Sequence, residues 1–419
     1  MRPNRRIGRL LAILLGVAAL AIAGVWTQTA RTAGHSVPVA QSADRSAARH
    51  SHASGGAARG TESSTHRKVG ARHRAAAGRA SQQDTATAVS SAAPEFGNPH
   101  GHAFVPRAGR AVSTRHPNHV IGHGTPASCT SAAVVRAVGK GGVITFNCGP
   151  NPVTITMRAT AKVTNTSHRI VLDGGGKVTL SGAGKRQILY QNTCDKRRQI
   201  TTSDCFDQQW PQLIVQNITL KDGNSQVRQT QGTNFGGGGG GAIFDLGGQI
   251  KVVNSQFLNN RCYGHGPDLG GAALRALAQW RNKPVYITRD TFRGGRCSNG
   301  GALSSIGVSW RVLNSIMTNN RAIGFGANPA APGTRGGGSG GAIYNDGDKM
   351  SLVIAGTIMR FNRAREGGGA IFFVSDNNTG TLTIRGSVLH HNPSEKFSNY
   401  PGIYFHSTGR PRFIHSHVS

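Results

Sequence analysis

Four arginines recur at one equivalent position of successive repeats: Arg261, Arg296, Arg321 and Arg363. If the repeats stack as parallel strands, their guanidinium groups stand about 4.8 Å apart along a line of roughly 14 Å. Like charges at this spacing repel, so an unbroken column favours stacked guanidinium planes or an anionic partner. The column predicts a binding site for a linear polyanion. The alternative is that exposed arginines are common in a basic protein and align by composition alone.

Carboxylates that could cleave a polysaccharide are scattered. Hydrolysis of a glycosidic bond needs two carboxyl groups about 5 to 10 Å apart, and no two acids share a position in adjacent repeats. Asp268 and Glu366 share a position but lie three repeats apart, which corresponds to roughly 14 Å. Asp245 has Arg275 at the same position of the next repeat, which predicts a salt bridge. We therefore name no catalytic residue.

Other candidate sites are weaker. Asp346 and Asp348 in the phrase NDGD are interpreted as turn residues, with a loose Ca²⁺ site as the alternative. The cysteines form no CxxC pair, which argues against a zinc site. No aromatic residues are interleaved with the arginine column as stacking platforms for nucleic acid require, so we do not expect a nucleic-acid partner. We expect no cofactor, and Ca²⁺ only if the protein is a lyase.

The elements that position these residues are glycine-rich repeats. The phrase GGA occurs five times, beginning at Gly240, Gly270, Gly300, Gly340 and Gly368. Each phrase is followed by an apolar anchor, namely Phe257, Phe292, Met317, Met359 and Leu389. The residues five and seven positions before every anchor are apolar, and three positions after it stand Asn260, Asn320, Asn362 and Asn392 in four of the five repeats. This alternation is typical of stacked β-coils, and the asparagines are interpreted as a structural ladder of amides.

Residues 126–419 are therefore predicted to form one all-β solenoid. The sequence from Thr130 to Gly139 has the pattern of a short amphipathic helix, which would cap the open N-terminal end of the stack. Long glycine-rich loops precede two of the GGA phrases, at Gly223 to Gly239 and Ile323 to Gly338. Loops inserted at corresponding places in a solenoid gather on one side, often the binding side.

The six cysteines all lie in the solenoid and predict disulfides. Cys262 and Cys297 each follow their anchors by five residues in adjacent repeats. A strand spacing of about 4.8 Å lies within the Cα separation of about 4.4 to 6.8 Å that a disulfide needs. We expect this bridge, and then the two nearest remaining pairs, Cys129 with Cys148 and Cys194 with Cys205.

The first 125 residues have a different composition. Residues 1–26 combine basic residues with an apolar run from Leu10 to Trp26, which predicts a signal peptide or an uncleaved membrane anchor. Residues 27–125 have few large apolar residues and are predicted to be a disordered basic linker. The formal net charge of the whole chain is +31. Such a charge favours polyanions in general, and an export signal with disulfides predicts a location at the cell surface or outside the cell.

The repeats resemble the right-handed parallel β-helix of the pectate-lyase-like superfamily, and the GGAI and FxxN phrases resemble those of the chlamydial polymorphic membrane proteins. Phe257 to Asn260 matches FxxN in full, Met or Leu replaces Phe in three repeats, and Phe292 to Gly295 lacks the asparagine. The opening sequence CTSAAVVRAVGKGGVITFNCG resembles the entry coils of exported bacterial β-helix proteins. The resemblance covers residues 129–419 and implies the fold, while the superfamily includes lyases, hydrolases and adhesins.

These observations predict an exported β-helix protein that binds an anionic polysaccharide or another cell-envelope polymer without catalysis. The alternative is a polysaccharide lyase or glycoside hydrolase working under the glycine-rich loops, with Arg or Lys as base and Ca²⁺ held by Asp. Contact with a membrane is expected only through residues 10–26, if that segment is not cleaved.

Overall fold

The computed structural model describes residues 96–199, 203–226 and 238–419, all within the compact unit Ala86–Ser419. The chain winds as successive coils, and most coils contribute one strand to each of three sheets. Every strand pair in these sheets is parallel. The predicted right-handed parallel β-helix is thus confirmed. The period-two alternation of the sequence accounts for it, since it buries one side of each strand inside the coil.

The strands group into sheets as follows. Sheet 1 contains His119–Ile121, Gly142–Phe146, Arg169–Asp173, Gln212–Gln216, Gln249–Val253, Val285–Thr288, Trp310–Leu313, Ser351–Ala355, Thr381–Arg385 and Arg412–Ile414. Sheet 2 contains Val153–Thr156, Val178–Ser181, Thr219–Lys221, Gln256–Leu258, Thr291–Arg293, Ile316–Thr318, Ile358–Arg360, Val388–His390 and His417–Val418. Sheet 3 contains Ala161–Lys162, Leu189–Asn192, Ile243–Leu246, Leu274–Leu277, Leu303–Ile306, Ile343–Gly347, Ile371–Ser375 and Ile403–His406, and the short sheet 4 contains Arg296–Cys297, Arg321–Ala322 and Arg363–Ala364.

The apolar columns predicted from the repeat form the core. The anchors pair in register across sheet 2 in the order Phe257, Phe292, Met317, Met359 and Leu389. All five are buried, and the Phe257 and Phe292 rings stack with centroids 4.9 Å apart. Burial of these columns is the main favourable term for the fold, at about 25 cal/mol per Å² of apolar surface.

The asparagines form the predicted ladder of side-chain amides. Asn362 donates to the carbonyl of Met317 at 3.0 Å and to Oδ1 of Asn392 at 2.9 Å, and its own Oδ1 accepts from Asn320. The coil without asparagine has Gly295, where a Cβ would lie 1.9 Å from the carbonyl oxygen of Gly301. The departure from the repeat therefore has a steric cause.

The cap and all three disulfides are confirmed. The helix α1, Ser131–Lys140, is capped at its N-terminus by Thr130, whose side chain accepts from the amide of Ala133. The helix buries Val134 and Val138 against the first coil. The bridges join Cys129 to Cys148, Cys194 to Cys205 and Cys262 to Cys297.

The strand after the second GGA phrase begins one residue later than the strands after the neighbouring phrases. This shift in register overturns the predicted salt bridge between Asp245 and Arg275. Positive φ falls on Gly271 rather than Gly270, so strand Ile243–Leu246 aligns Asp245 with Ala276. Arg275 instead lies beside Phe244 and Ser304, on the outer face of sheet 3. The Asp245 carboxylate accepts from the amides of Gln191 and Gln279 inside the coil, at 2.7 and 2.6 Å.

Residues 96–118 run across the outer face of sheet 1, and we call this segment the strap. The Asn314 side chain bonds both the amide and the carbonyl of Ala103, at 2.8 and 2.9 Å, and Gln216 does the same for Val112, at 2.9 and 3.0 Å. The ordered β-helix domain therefore begins before the predicted boundary at residue 126. The rest of the predicted linker, residues 27–95, and the predicted export segment lie outside the described residues.

Candidate functional site

The structure places the four predicted arginines in one column. Arg261 pairs with Arg296, Arg296 with Arg321 and Arg321 with Arg363, each as direct neighbours in parallel register. All four are exposed. The residue after each arginine is buried, and Cys262 and Cys297 next to the first two have Cα atoms 4.7 Å apart. The disulfide thus fixes the register on which the column depends.

A second basic column lies beside the first on the outer face of sheet 2. It contains Arg293 and Arg360, which Thr318 separates by one coil, with His390 in the coil after Arg360. Slight desolvation, followed by His391, His417 and Arg360 nearby, lowers the pKa of His390. Phe361, whose exposed fraction is 48%, stands between the two columns next to Arg363 and stacks on the His391 ring.

One carboxylate already contacts the arginine column. Glu395 accepts from Arg363, with its Oε1 2.9 Å from the guanidinium Nη2. Both side chains are about half exposed, so the pair contributes little to stability. Within the described residues, it is the only ion pair that involves a member of the column. The contact shows that the column accepts a carboxylate in this geometry.

A cluster of acids on the outer face of sheet 3 is a second candidate site, and the sequence did not reveal it. The Tyr344 hydroxyl lies 2.8 Å from Oδ2 of Asp346 and 3.1 Å from Oδ1 of Asp268. These two carboxyl oxygens are therefore no more than about 6 Å apart. Asn328 in the long loop donates to both acids and, at 2.8 Å, to the Tyr344 hydroxyl.

The cluster changes the acidity of Asp346. Burial raises its pKa to about 7, with smaller contributions from the negative charges of Asp376 and Asp268. A tyrosine hydroxyl has one proton and can donate to only one of the two carboxylates. Below a pH of about 7, a proton on Asp346 supplies the second hydrogen bond. The cluster thus places an acid with a raised pKa beside a second, half-buried carboxyl group.

A buried cation lies on the same outer face of sheet 3, under Gly239. Arg275 is fully buried and donates through Nη1 to Ser304 at 2.9 Å. Desolvation lowers its pKa to about 10, while Asp268, Tyr344 and Asp346 oppose this shift. Gly239 crosses directly above it with φ of 94°, and a Cβ there would lie 2.8 Å from the Arg275 Cδ. The glycine run thus lets the backbone pass over this arginine.

The acid cluster corrects one prediction. Asp346 is a strand residue within Ile343–Gly347 rather than a turn residue, and only Asp348 follows the strand. Glu366 is not part of the cluster, since it accepts from the amide of Gly326 at 2.8 Å and from Lys396 at 3.1 Å. Among the described residues, no group of three or more His, Cys, Asp or Glu side chains is arranged to hold a metal ion. The sequence feature that could have indicated this cluster was the long loop from Ile323 to Gly338, which contains Asn328.

The comparisons with known proteins add no family to this description. No family model, no curated protein and no solved structure matches the chain. Over the residues the structure describes, none of the helices has the length and apolar character needed to cross a membrane. Three disulfides fit an oxidising environment.

Proposed function

We propose that this protein is an exported, non-catalytic β-helix protein that binds an anionic polysaccharide or another anionic cell-envelope polymer along the column Arg261, Arg296, Arg321 and Arg363. The observation that carries the proposal is the unbroken register of four exposed guanidinium groups. Their backbones repeat at about 4.8 Å, so a linear polymer lying along the coil axis meets several of them at once. The contact between Glu395 and Arg363 supports carboxylates as ligands.

Export is supported by the basic and apolar N-terminal segment and by the three disulfides. A location at the cell surface or outside the cell agrees with an envelope polymer as ligand. The GGAI and FxxN phrases support a relationship with the pectate-lyase-like superfamily and the chlamydial repeat proteins. Whether residues 1–26 are removed or remain as an anchor does not alter the binding surface.

The binding test compares the full chain with a variant in which all four column arginines are changed to Gln. Elution from immobilised heparin and from immobilised polygalacturonate is measured in a salt gradient. The Debye screening length falls from about 10 Å at 0.1 M salt to about 3 Å at 1 M, so salt weakens binding by exposed charges. Because the variant lacks the four column charges, we expect it to elute at clearly lower salt. Isolated surface substitutions usually cost less than about 0.5 kcal/mol, so folding should be preserved.

The matched control removes four exposed charges elsewhere, with Arg158, Lys177, Lys185 and Arg410 changed to Gln. It loses the same net charge as the column variant. We expect it to elute close to the parent. Equal elution of parent and column variant, or equal shifts in both variants, would show that net charge rather than the column controls retention.

A second candidate function, polysaccharide hydrolysis, is favoured by one observation. Asp346 has a pKa of about 7 and lies beside Asp268, and an acid with a raised pKa next to a second carboxyl group is the arrangement of a glycosidase. In this reaction Asp346 would protonate the leaving oxygen. Uronate and neutral polysaccharides are assayed for new reducing ends and for unsaturated products. Sustained turnover that is lost in Asp346→Asn would replace the non-catalytic proposal.

A further inference from the structure

A cleft of about 450 Å³ lies between the strap and the outer face of sheet 1. Ala108 and Val112 of the strap form one wall, and Ile214, Lys251 and Tyr286 on adjacent strands line the sheet side. Binding pockets for small molecules typically have about 300 to 1,000 Å³. The cleft therefore has the size of a ligand site.

The charged groups that line the cleft are all cationic. Lys251 lies in the centre, and Arg169 and Lys283 lie towards opposite ends. Burial, followed by the charge of Arg169, lowers the pKa of Lys251. No carboxylate is among the described residues that line the cleft. An anionic group entering it would therefore meet uncompensated positive charge in a partly desolvated place, where electrostatic attraction is stronger than in water.

Lys251 also joins the cleft to the strap. Its Nζ donates to the carbonyl oxygens of Ala108 at 3.1 Å and Arg110 at 2.6 Å. An ammonium group has three N–H donors, so one remains for a ligand. Beside it, Ile214 and Tyr286 present apolar surface, and Gln212 contributes an amide. The lining thus combines an apolar surface with a fixed positive centre.

We propose that this cleft binds an amphipathic organic anion, with its apolar body against Ile214 and Tyr286 and its carboxylate, sulfonate or phosphate facing Lys251. The site is independent of the arginine column, because the column lies on sheet 4 and the cleft lies on sheet 1. A polymer that binds the column and a small anion that binds the cleft would therefore occupy separate surfaces.

The test uses anilinonaphthalene sulfonate, an aromatic sulfonate that becomes fluorescent in apolar sites, titrated into the full chain. Its uncharged relative phenylnaphthylamine is titrated in parallel. Arg169→Gln combined with Lys283→Gln removes two exposed charges without touching the contacts between Lys251 and the strap. We expect this double variant to bind the sulfonate at least about fivefold more weakly and to bind the uncharged compound as the parent does.

Ala108→Trp places a large ring in the cleft from an exposed position of the strap. We expect it to abolish the binding of both compounds. The control Arg385→Gln removes an exposed charge from the same sheet outside the cleft and should bind both compounds like the parent. The variant that lacks the arginine column should also do so, which separates this test from the polymer-binding test.

Two results would overturn the proposal. One is unchanged sulfonate affinity in the Arg169 and Lys283 double variant, which would remove the role of the cationic lining. The other is unchanged binding in Ala108→Trp, which would place the probe elsewhere. Circular dichroism and a thermal melt of each variant show that any loss of binding occurs in folded protein.

Discussion

Asp346 differs from the other buried acids in what surrounds it. Asp245 and Asp290 are fully buried, and each accepts two hydrogen bonds, from side-chain amides for Asp245 and from backbone amides for Asp290. Asp346 keeps a small exposed fraction of 9% and shares Tyr344 with Asp268. Unlike Asp245 and Asp290, it is thus partly open to solvent and bonded to a hydroxyl that a second acid shares.

The raised pKa of Asp346 predicts a pH-dependent stability. The folded group holds its proton up to about pH 7, whereas an ordinary Asp loses it near 3.8. The folded state therefore binds more protons between these values, and the free energy of unfolding falls as the pH rises from about 4 to about 7. One pKa unit corresponds to about 1.4 kcal/mol, so the effect is on the order of 4 kcal/mol.

Asp346→Asn remains neutral and should remove this part of the pH dependence. We expect similar thermal stability of parent and variant near pH 4, and a more stable variant above about pH 7. Asp245 and Asp290 are shifted in the same direction, so the difference between the two proteins is the quantity to compare. Asp348→Asn is the control for a nearby charge. A constant difference across the pH range would mean that Asp346 is ionised in the folded protein.

At the scale of elements, the asparagine ladder holds the turns that follow four strands of sheet 2. Each ladder asparagine donates to a carbonyl of the preceding coil, and Asn320 and Asn362 also donate to Oδ1 of the next asparagine. All of these groups are buried. A buried polar group that loses its partner costs about 1 to 3 kcal/mol, so each rung affects more than one coil.

Asn362→Ala should destabilise the protein by about 2 to 4 kcal/mol, because it removes the donor to the Met317 carbonyl and the acceptor of the buried Asn320 backbone N–H. The measurement is chemical or thermal unfolding. The control Asn319→Gly removes an exposed amide from the equivalent turn of the preceding coil, at a φ of 56° that suits glycine, and it should cost little. If both variants unfold alike, the ladder contributes no more than an exposed asparagine.

At the scale of the whole molecule, the strap connects coils that are far apart along the axis. Asn98 donates to the carbonyl of Gly356 at 2.8 Å, and Thr114 near the other end donates to Asp173 at 2.9 Å. The strap is attached by such polar contacts and contributes little to the core. We expect it to detach before the β-helix unfolds, as weakly packed segments do.

Asn314→Gly should release the strap, because it removes both hydrogen bonds to Ala103 at a φ of 52° that glycine tolerates. We expect severalfold faster tryptic cleavage after the exposed Arg107 and Arg110, with a small change in melting temperature. Mass spectrometry of the fragments locates the cuts. The control Asn259→Gly has a similar φ of 53° without a contact to the strap. Equal cleavage rates in both variants would show that Asn314 does not hold the strap.

The amino-acid sequence was enough to predict the β-helix, the anchor and asparagine columns, the capping helix, all three disulfides and the alignment of the four arginines. These features follow from alternation within a strand and from a repeat that returns equivalent residues to adjacent coils. Once the register was set at Phe257 and Phe292, the pairing of Cys262 with Cys297 followed from spacing alone.

The features that interrupt the repeat became visible in the folded structure. The shift in register after the second GGA phrase separates Asp245 from Arg275, and the loop containing Asn328 buries Asp346 beside Asp268. The strap bonds to residues as far as 258 positions away, from Asn98 to Gly356. Such contacts join residues that no local period relates, so their positions depend on how the loops and the strap pack on the finished coils.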